Sequence, residues 1–206
     1  MGNEPSFAQI QGLLNDFADG GVFEFHFATT HEARIAALEK ILESCFASLV
    51  ENRQHKQAHS EDALSVEIVE QLRGFKIEAN HDVQTGGHCD IHVRGKSNFI
   101  WIGEAKVHGG YGWLESGFKQ LSTRYATGMP GQDCGDLIIY CKNRDSVSVL
   151  RLWLERLQEK FPDTIVAADE VSDLLQFRTV HTCENSGRPF NTRHKIVPLF
   201  WQPSRN

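Results

Sequence analysis

Features that mark membrane and secreted proteins are missing from this 206-residue sequence. No apolar run approaches the roughly 20 residues that span a bilayer. The N-terminal stretch MGNEPSFAQIQ shows neither the basic segment nor the apolar segment of a secretory signal. We therefore expect a soluble, cytoplasmic protein without membrane contact. The sequence also has no internal repeat and no low-complexity tract.

Cysteine pairs at metal-ligand spacing are missing as well. The five cysteines are scattered at positions 45, 89, 134, 141 and 183, and none belongs to a CxxC pair. Reduced thiols are the simplest interpretation of this pattern. The ten histidines do not combine with these cysteines at zinc-ligand spacing within one segment, which favours surface and pocket histidines over a zinc site.

Basic residues are in deficit, with 21 Lys and Arg against 27 Asp and Glu and a net charge of −6. Proteins that bind nucleic acid usually carry a basic stripe, so the total charge argues against tight binding of long DNA by the isolated chain. It does not exclude a site in which a divalent cation neutralises clustered carboxylates beside a local basic face.

The first 59 residues are interpreted as a helical arm or lobe. Apolar residues recur at helical spacing over residues 5–19, and again after Thr30, which is a plausible N-cap for a second helix. A polar run at residues 51–60 follows as a frayed helix end and linker. We predict that this arm, residues 1–59, precedes a second domain at residues 60–206 and contacts a second copy of the chain or a partner protein.

From Ser60 onward, helical and strand-like patterns alternate. Ser60 is a good N-cap and Gly74 a good helix stop. The predicted elements are a helix at 60–73, strands at 75–83, 89–94 and 98–107, a helix at 113–127, a strand at 136–141, a helix at 146–160, and strands at 164–168, 177–183 and 193–200. This order predicts an α/β fold whose mixed sheet carries helices on its faces.

The chemistry concentrates in residues 86–107, GGHCDIHVRGKSNFIWIGEAKV. Strand alternation places Asp90 and His92 on one face of their strand, and Glu104 and Lys106 on one face of the next. Both faces of that second strand are apolar up to Gly103, which predicts a central strand. A buried Glu and Lys need partners, and Asp90 on the neighbouring strand can join them.

Two carboxylates that converge beside an ammonium group suit an oxygen-seeking cation and phosphodiester hydrolysis. A lysine there can orient or deprotonate the attacking water, or stabilise the pentacoordinate charge. The alternative interpretation is a surface Glu–Lys pair on an edge strand. The apolar segment FIWI disfavours that alternative, because edge strands are rarely apolar on both faces.

Asp90, followed after thirteen residues by Glu104-Ala105-Lys106, resembles the motif of the PD-(D/E)XK nuclease superfamily, which includes restriction endonucleases, resolvases and repair nucleases. The resemblance covers about residues 60–142 and implies a restriction-endonuclease-like α-β-β-β-α-β core. It implies that Asp90, Glu104 and the Ala105 carbonyl bind Mg²⁺, for which Mn²⁺ can substitute, and that Lys106 is the catalytic lysine. Cys89 stands where the family motif has proline.

A third carboxylate is expected from the first core helix, which offers Glu61, Asp62, Glu67 and Glu70. The buried line of this helix is defined by Leu64, Ile68 and Leu72. Glu61 continues that line one turn earlier, whereas Glu67 falls off it and is expected to be solvated. We predict that Glu61 completes the metal site as a ligand and catalytic residue. The alternative is that Glu61 only complements the helix dipole.

The helix after the motif supplies candidate substrate contacts. Gln120 and Arg124 are one helical turn apart and can meet a phosphate together. In some members of the superfamily that the motif resembles, Gln and Tyr at this place line the substrate channel, which would give Tyr125 a role. The apolar stripe of the helix favours a core position for Tyr125 instead.

Three other side chains near the motif have two interpretations each. His92 shares the face of Asp90 and can bind phosphate or act as an acid, or it is structural. Tyr111 and Trp113 follow Lys106 in a glycine-rich loop and can stack on bases, or they serve in turns and packing.

The motif and the resemblance predict a Mg²⁺-dependent deoxyribonuclease, an endonuclease in preference to an exonuclease, with RNA left open as the alternative to DNA. The range of the superfamily suggests defence against foreign DNA as its role. Two other functions stay open. One is a nucleic-acid-binding or scaffolding subunit with a nuclease-like fold inside a larger complex, which the acidic total favours. The other is a metal-dependent hydrolase of small phosphoesters.

Overall fold

The computed structural model describes residues 6, 8–10, 12, 20–84, 88–125, 127–167 and 175–203, and at 84, 124 and 125 the backbone alone. The helices are α1 (Gly21–Phe27), α2 (His31–Glu51), α3 (Glu61–Gly74), α4 (Tyr111–Lys119) and α5 (Ser146–Lys160). The strands are β1 (Glu78–Gln84), β2 (His88–Arg94), β3 (Ile100–Val107), β4 (Cys134–Cys141), β5 (Ile165–Val166), β6 (Gln176–Thr182) and β7 (Pro189–Pro198). The helix predicted over residues 5–19 lies largely outside the described residues.

The strands form one seven-stranded mixed sheet in the order β1-β2-β3-β4-β7-β6-β5. The first three strands pair antiparallel, whereas β4 is parallel to both β3 and β7. Because β7 inserts between β4 and β6, β4 is a central strand, and all its residues are buried. The fold class is therefore α/β with a mixed sheet, as the alternation of patterns predicted.

The starts of three helices follow directly from local sequence. Thr30 caps α2 by accepting a hydrogen bond from the Ala33 amide at 3.2 Å. Ser60 caps α3 in the same way through the Ala63 amide at 3.2 Å, and Asp145 caps α5. Such caps contribute about 0.5–2 kcal/mol each. The N-caps predicted at Thr30 and Ser60 are confirmed.

The two faces of the sheet carry separate apolar cores. On one face, α2 and α3 pack against β1–β4, and Leu38, Leu42 and Leu49 of α2 are fully buried in one cluster with Trp101 and Tyr140. The other face is covered by α4 and α5. The described part of the predicted arm therefore packs on the sheet rather than apart from it, because burial of each such leucine contributes about 1.5–3 kcal/mol.

Several predicted elements differ in their bounds from the observed ones, and two of these differences concern the candidate site and the sheet. The helix predicted at 113–127 begins earlier, at Tyr111, and changes to π-helical geometry over Gln120–Tyr125. The wider turn of a π-helix alters the angular relation that α-helical spacing assigned to Gln120 and Arg124. The last strand, β7, starts four residues before the predicted Arg193.

The cysteines fit the expectation of reduced thiols. Cys45, Cys89, Cys134 and Cys141 are buried free thiols. Burial raises the pKa of Cys45 and of Cys89 to about 12, which keeps both thiols protonated and unreactive. Among the described residues, no helix combines the length and apolar character needed to cross a membrane.

Candidate active site

Lys106 lies at the centre of the candidate site, near the end of β3. Its Nζ is 2.6 Å from Glu104 Oε1, 3.1 Å from Glu61 Oε1 and 4.0 Å from Asp90 Oδ2. It also donates a hydrogen bond to the Ala105 carbonyl at 2.9 Å. Burial acts to lower the pKa of Lys106, but the carboxylates, Glu104 foremost, outweigh it and raise that pKa. The structure thus brings together the four side chains that the sequence predicted as catalytic.

Asp90 is positioned by a break in the ladder between β2 and β3. The paired register of these strands runs from Arg94 opposite Ile100 to Ile91 opposite Gly103. Beyond this point the Asp90 side chain replaces a backbone carbonyl as the hydrogen-bond acceptor. Its Oδ2 accepts a hydrogen bond from the Ala105 amide at 2.7 Å. The Asp90 carboxylate is therefore fixed at the end of the ladder, beside the strand that carries Glu104 and Lys106.

Glu61 reaches the site from the first turn of α3. Its Oε2 accepts hydrogen bonds from the Val107 amide at 2.8 Å and from Trp113 Nε1 at 3.3 Å. The phase predicted for this helix is correct, because the predicted core line, Leu64, Ile68 and Leu72, is fully buried. Glu61 therefore links the helix to the end of β3 and to α4, besides its contact with Lys106.

Glu67 keeps part of its predicted exposure but also has a partner. Its side chain is 30% exposed, and it forms an ion pair with Lys56, whose Nζ is 2.6 Å from Glu67 Oε2. The short 3₁₀ turn Arg53–His55, which precedes Lys56, returns the chain to α3 and brings the ammonium into reach. The sequence did not predict this ion pair, because periodicity along one helix carries no information on a neighbouring turn.

The buried carboxylate of Glu104 has fewer hydrogen bonds within the described part of the chain than it can accept. The residue is only 1% exposed, and its Oε2 has no hydrogen-bond partner among the described residues. Burial raises the pKa of Glu104 to about 7, and repulsion from Asp90 adds to this effect while Lys106 opposes it. Burial also raises the pKa of Asp90. Both carboxylates therefore carry less compensating positive charge than their burial requires, and oxygen donors of this kind suit Mg²⁺.

The three carboxylates predicted as metal ligands surround an ammonium group instead of a common point. Among the described residues, two groups of three possible ligands bring their atoms within 4.8 Å of one another, and neither is the set Asp90, Glu104 and Glu61. Lys106 lies between those side chains as an internal counterion. A cation bound through Glu104 Oε1 would therefore compete with Lys106, whereas Glu104 Oε2 has no partner among the described residues.

One of these two groups, Asp62, His81 and Asp90, adjoins the candidate site. Sequence reasoning considered Asp62 only as one of four acids on the helix and did not single out His81. The signal that would have found His81 is strand register, because His81 stands opposite Ile91, the neighbour of Asp90. Register between two strands is not readable from the alternation within either one.

The wall beside Lys106 is formed by α4. A Cβ atom at Gly117 would lie 2.9 Å from Lys106 Cγ. The absence of a side chain at this position therefore leaves space for the aliphatic part of Lys106. The Trp113 ring centroid is 5.2 Å from Lys106 Nζ, and Trp113 is 52% exposed. Half of the indole is thus buried against charged groups of the site while half stays open to solvent.

The predicted substrate contacts are placed less clearly than the carboxylates. His92 is 1% exposed, and neither ring nitrogen has a hydrogen-bond partner among the described residues. Burial, followed by the charge of Arg94, lowers the pKa of His92, so it is a neutral buried imidazole away from solvent. Gln120 is half-buried in the π-helical segment, which packs against β3. The side chains of Arg124 and Tyr125 lie outside the described residues.

Compared with protein-family models, with curated protein sequences and with solved structures, the chain gives no match. The interpretation of the site therefore depends on its own geometry and on the motif in the sequence.

Proposed function

We propose that this chain is a Mg²⁺-dependent nuclease of the PD-(D/E)XK type that hydrolyses phosphodiester bonds in DNA. The observation that carries this proposal is the state of Glu104. It is a buried carboxylate with one unpartnered oxygen, a pKa raised to about 7, and Lys106 Nζ at 2.6 Å. Burying such a group costs stability unless a cation compensates it, so its presence favours a cation-binding role over a structural one.

The order of elements supports the same proposal. The helix α3 is followed by β1, β2 and β3, then by α4 and β4. This α-β-β-β-α-β order is the one that the resemblance implies for a restriction-endonuclease-like core. We propose that the segment from α3 to β4 is that core, with β7, β6 and β5 extending its sheet.

The roles of the individual residues follow from their donor atoms. Asp90, Glu104 and the Ala105 carbonyl would hold Mg²⁺, with Glu61 completing the site from the helix. When bound, Mg²⁺ supplies polarisation of the phosphoryl group and acidification of a bound water. Lys106, once its ion pair with Glu104 is replaced, can donate hydrogen bonds to the phosphate and stabilise the negative charge that develops there. The Val107 amide and Trp113 keep the Glu61 carboxylate in place.

We also propose that a second copy of the chain or a partner protein contributes to DNA binding. The net charge of −6 is unfavourable for holding a polyanion. A partner that brings basic side chains would offset this repulsion.

The test is nicking of supercoiled plasmid by the purified chain. We expect cleavage with Mg²⁺ or Mn²⁺ and none with Ca²⁺, which is larger and acidifies its water less. Glu104→Ala should abolish cleavage and keep the fold. The matched control is Glu78→Ala, which removes a mostly exposed glutamate from β1 of the same sheet. Undiminished cleavage by Glu104→Ala contradicts the proposal.

A second candidate function is a nucleic-acid-binding subunit without catalysis. It is favoured by one observation, namely that Lys106 Nζ lies 2.6 Å from Glu104 Oε1 and so compensates this carboxylate from within the chain. Calorimetric titration with Mn²⁺ separates the two candidates. DNA binding without metal binding and without cleavage is the result expected for a binding subunit, whereas metal binding that is lost in Glu104→Ala supports the nuclease.

A further inference from the structure

Asp62, His81 and Asp90 come from three different elements and meet beside the Lys106 site. Asp62 lies in the first turn of α3, His81 on β1 and Asp90 on β2. Each offers one ligand atom, and these atoms all lie within 4.8 Å of one another. Asp62 is exposed while the other two residues are half-buried, so the group opens to solvent on one side. A cation can therefore enter without disturbing the fold.

His81 supplies an independent observation. Its Nε2 is shielded from solvent and has no hydrogen-bond partner among the described residues. A buried polar atom without a partner costs about 1–3 kcal/mol, and the great majority of such atoms in folded proteins are satisfied. An imidazole that lies near two carboxylates and has one unsatisfied nitrogen can serve as a metal ligand.

We propose that Asp62, His81 and Asp90 form a second cation site, and that this site takes a first-row transition-metal ion in preference to Mg²⁺. Mg²⁺ prefers an all-oxygen shell, whereas imidazole nitrogen is a ligand for transition metals. Three protein ligands leave positions open for water or a substrate oxygen. The proposal rests on the proposed function only in that Asp90 is shared with the Mg²⁺ site.

The spacing of the ligand atoms fits one ion after a small adjustment. Ligands of one tetrahedral ion with bonds of about 2.2 Å stand about 3.6 Å apart. Atoms within 4.8 Å of one another need to approach by up to about 1 Å to reach that spacing. The exposed Asp62 side chain can move this far at little cost.

The experiment uses Mn²⁺ as the probe and electron paramagnetic resonance as the readout, without DNA. Titration of the full chain should remove the signal of aqueous Mn²⁺, and pulsed measurement should show coupling to a ¹⁴N nucleus from imidazole. His81→Gln should abolish the ¹⁴N coupling, and Asp62→Asn should weaken Mn²⁺ binding about tenfold or more. The control His88→Gln removes a histidine that is 65% exposed on the adjacent strand, and it should keep both signals.

The outcomes separate this inference from the proposed nuclease activity. Glu104→Ala lies outside the three ligands and should retain the ¹⁴N coupling even though cleavage is lost. Absence of ¹⁴N coupling in the wild-type chain, or its persistence in His81→Gln, overturns the second site. Thermal unfolding of His81→Gln and of the exposed Asp62→Asn shows whether either loss reflects misfolding. The proposal holds only if both variants fold normally and both bind Mn²⁺ more weakly than the wild-type chain.

Discussion

Two buried cations lie on opposite faces of the same sheet, and their partners satisfy them to different degrees. The Arg193 cluster consists of Arg193, Asp136, Glu43 and Trp101. Arg193 donates to Asp136 Oδ2 at 2.8 Å and to Glu43 at 2.9 Å, while Trp101 Nε1 donates to Asp136 Oδ1 at 3.3 Å. Both oxygens of the buried Asp136 thus have donors. The cluster joins β3, β4, β7 and α2 and needs nothing further.

The Lys106 cluster, formed by Lys106, Glu61, Asp90 and Glu104, is left incomplete. One oxygen of Glu104 has no partner among the described residues, and three carboxylates share a single ammonium group. Lysine is a point charge on a flexible stem, whereas arginine holds carboxylates with a rigid planar fork. The difference favours a structural role for the Arg193 cluster and fits the cation-binding role proposed for the Lys106 cluster.

The largest expected effect is on the satisfied cluster. Arg193→Met should lower the free energy of unfolding by about 3–5 kcal/mol, because it leaves the fully buried Asp136 carboxylate without its main partner. Urea denaturation at pH 7 measures this loss. The double variant Arg193→Met with Asp136→Leu removes both charges and should recover most of it. A double variant as unstable as the single one would mean that packing, not charge pairing, dominates there.

Glu104 should make the free energy of unfolding depend on pH. Its pKa is about 7 in the folded chain and 4.5 ordinarily, so the folded state holds this proton more tightly. Its contribution to the free energy of unfolding is fully present below about pH 4.5 and is lost as the pH rises through 7. The loss amounts to about 3 kcal/mol. Denaturant unfolding at pH 5 and pH 8 should show it in the wild type and much less in Glu104→Gln. An identical pH profile for both proteins would contradict the raised pKa.

The shape of the Lys106 cluster can be perturbed from α4. Gly117→Ala places a Cβ atom 2.9 Å from Lys106 Cγ and 3.1 Å from Leu137 Cδ1. We expect a loss of about 1–2 kcal/mol in the free energy of unfolding and at least about tenfold slower plasmid cleavage from the displaced lysine. Gly112→Ala in the same helix meets no atom within 4 Å and is the matched control. Equal behaviour of the two variants would show that Lys106 tolerates displacement.

The smallest expected change in stability separates two glutamates of one helix. Glu61→Gln keeps size and helix propensity, so stability should change by less than about 1 kcal/mol, while cleavage should fall at least about tenfold. Glu67→Gln breaks the pair with Lys56 but should leave cleavage near wild type. Both are measured by plasmid nicking and thermal unfolding. Full activity in Glu61→Gln would show that Glu61 is not needed for cleavage and serves only as a hydrogen-bond acceptor for the Val107 amide.

The sequence predicted the parts of the structure that depend on one periodic segment. The phase of α3, the caps at Thr30 and Ser60, and the shared face of Glu104 and Lys106 follow from spacing within a helix or strand. The placement of Asp90 beside them also follows, because β2 and β3 are consecutive and antiparallel.

Features that depend on contacts between distant segments were not predictable in this way. Arg193 and Lys195 are buried in β7 although both are charged, because Glu43 on α2 and Asp136 on β4 pair with them. An Asp inside the apolar strand CGDLIIYC was the available signal for a buried partner. The position of Lys56 against Glu67 likewise depends on a turn that has no periodicity.

The parallel pairing of β4 with β7 has a consequence for the kinetics of folding. Asp136 and Arg193 are 57 residues apart in sequence, and closing a loop of this length costs chain entropy before any contact forms. We therefore expect the central strand to gain its second neighbour late, after the antiparallel strands β1–β3 have paired through short connections. Interactions made after the transition state slow unfolding without accelerating folding. On this order of events, the Arg193 cluster should lengthen the lifetime of the folded sheet once it has closed.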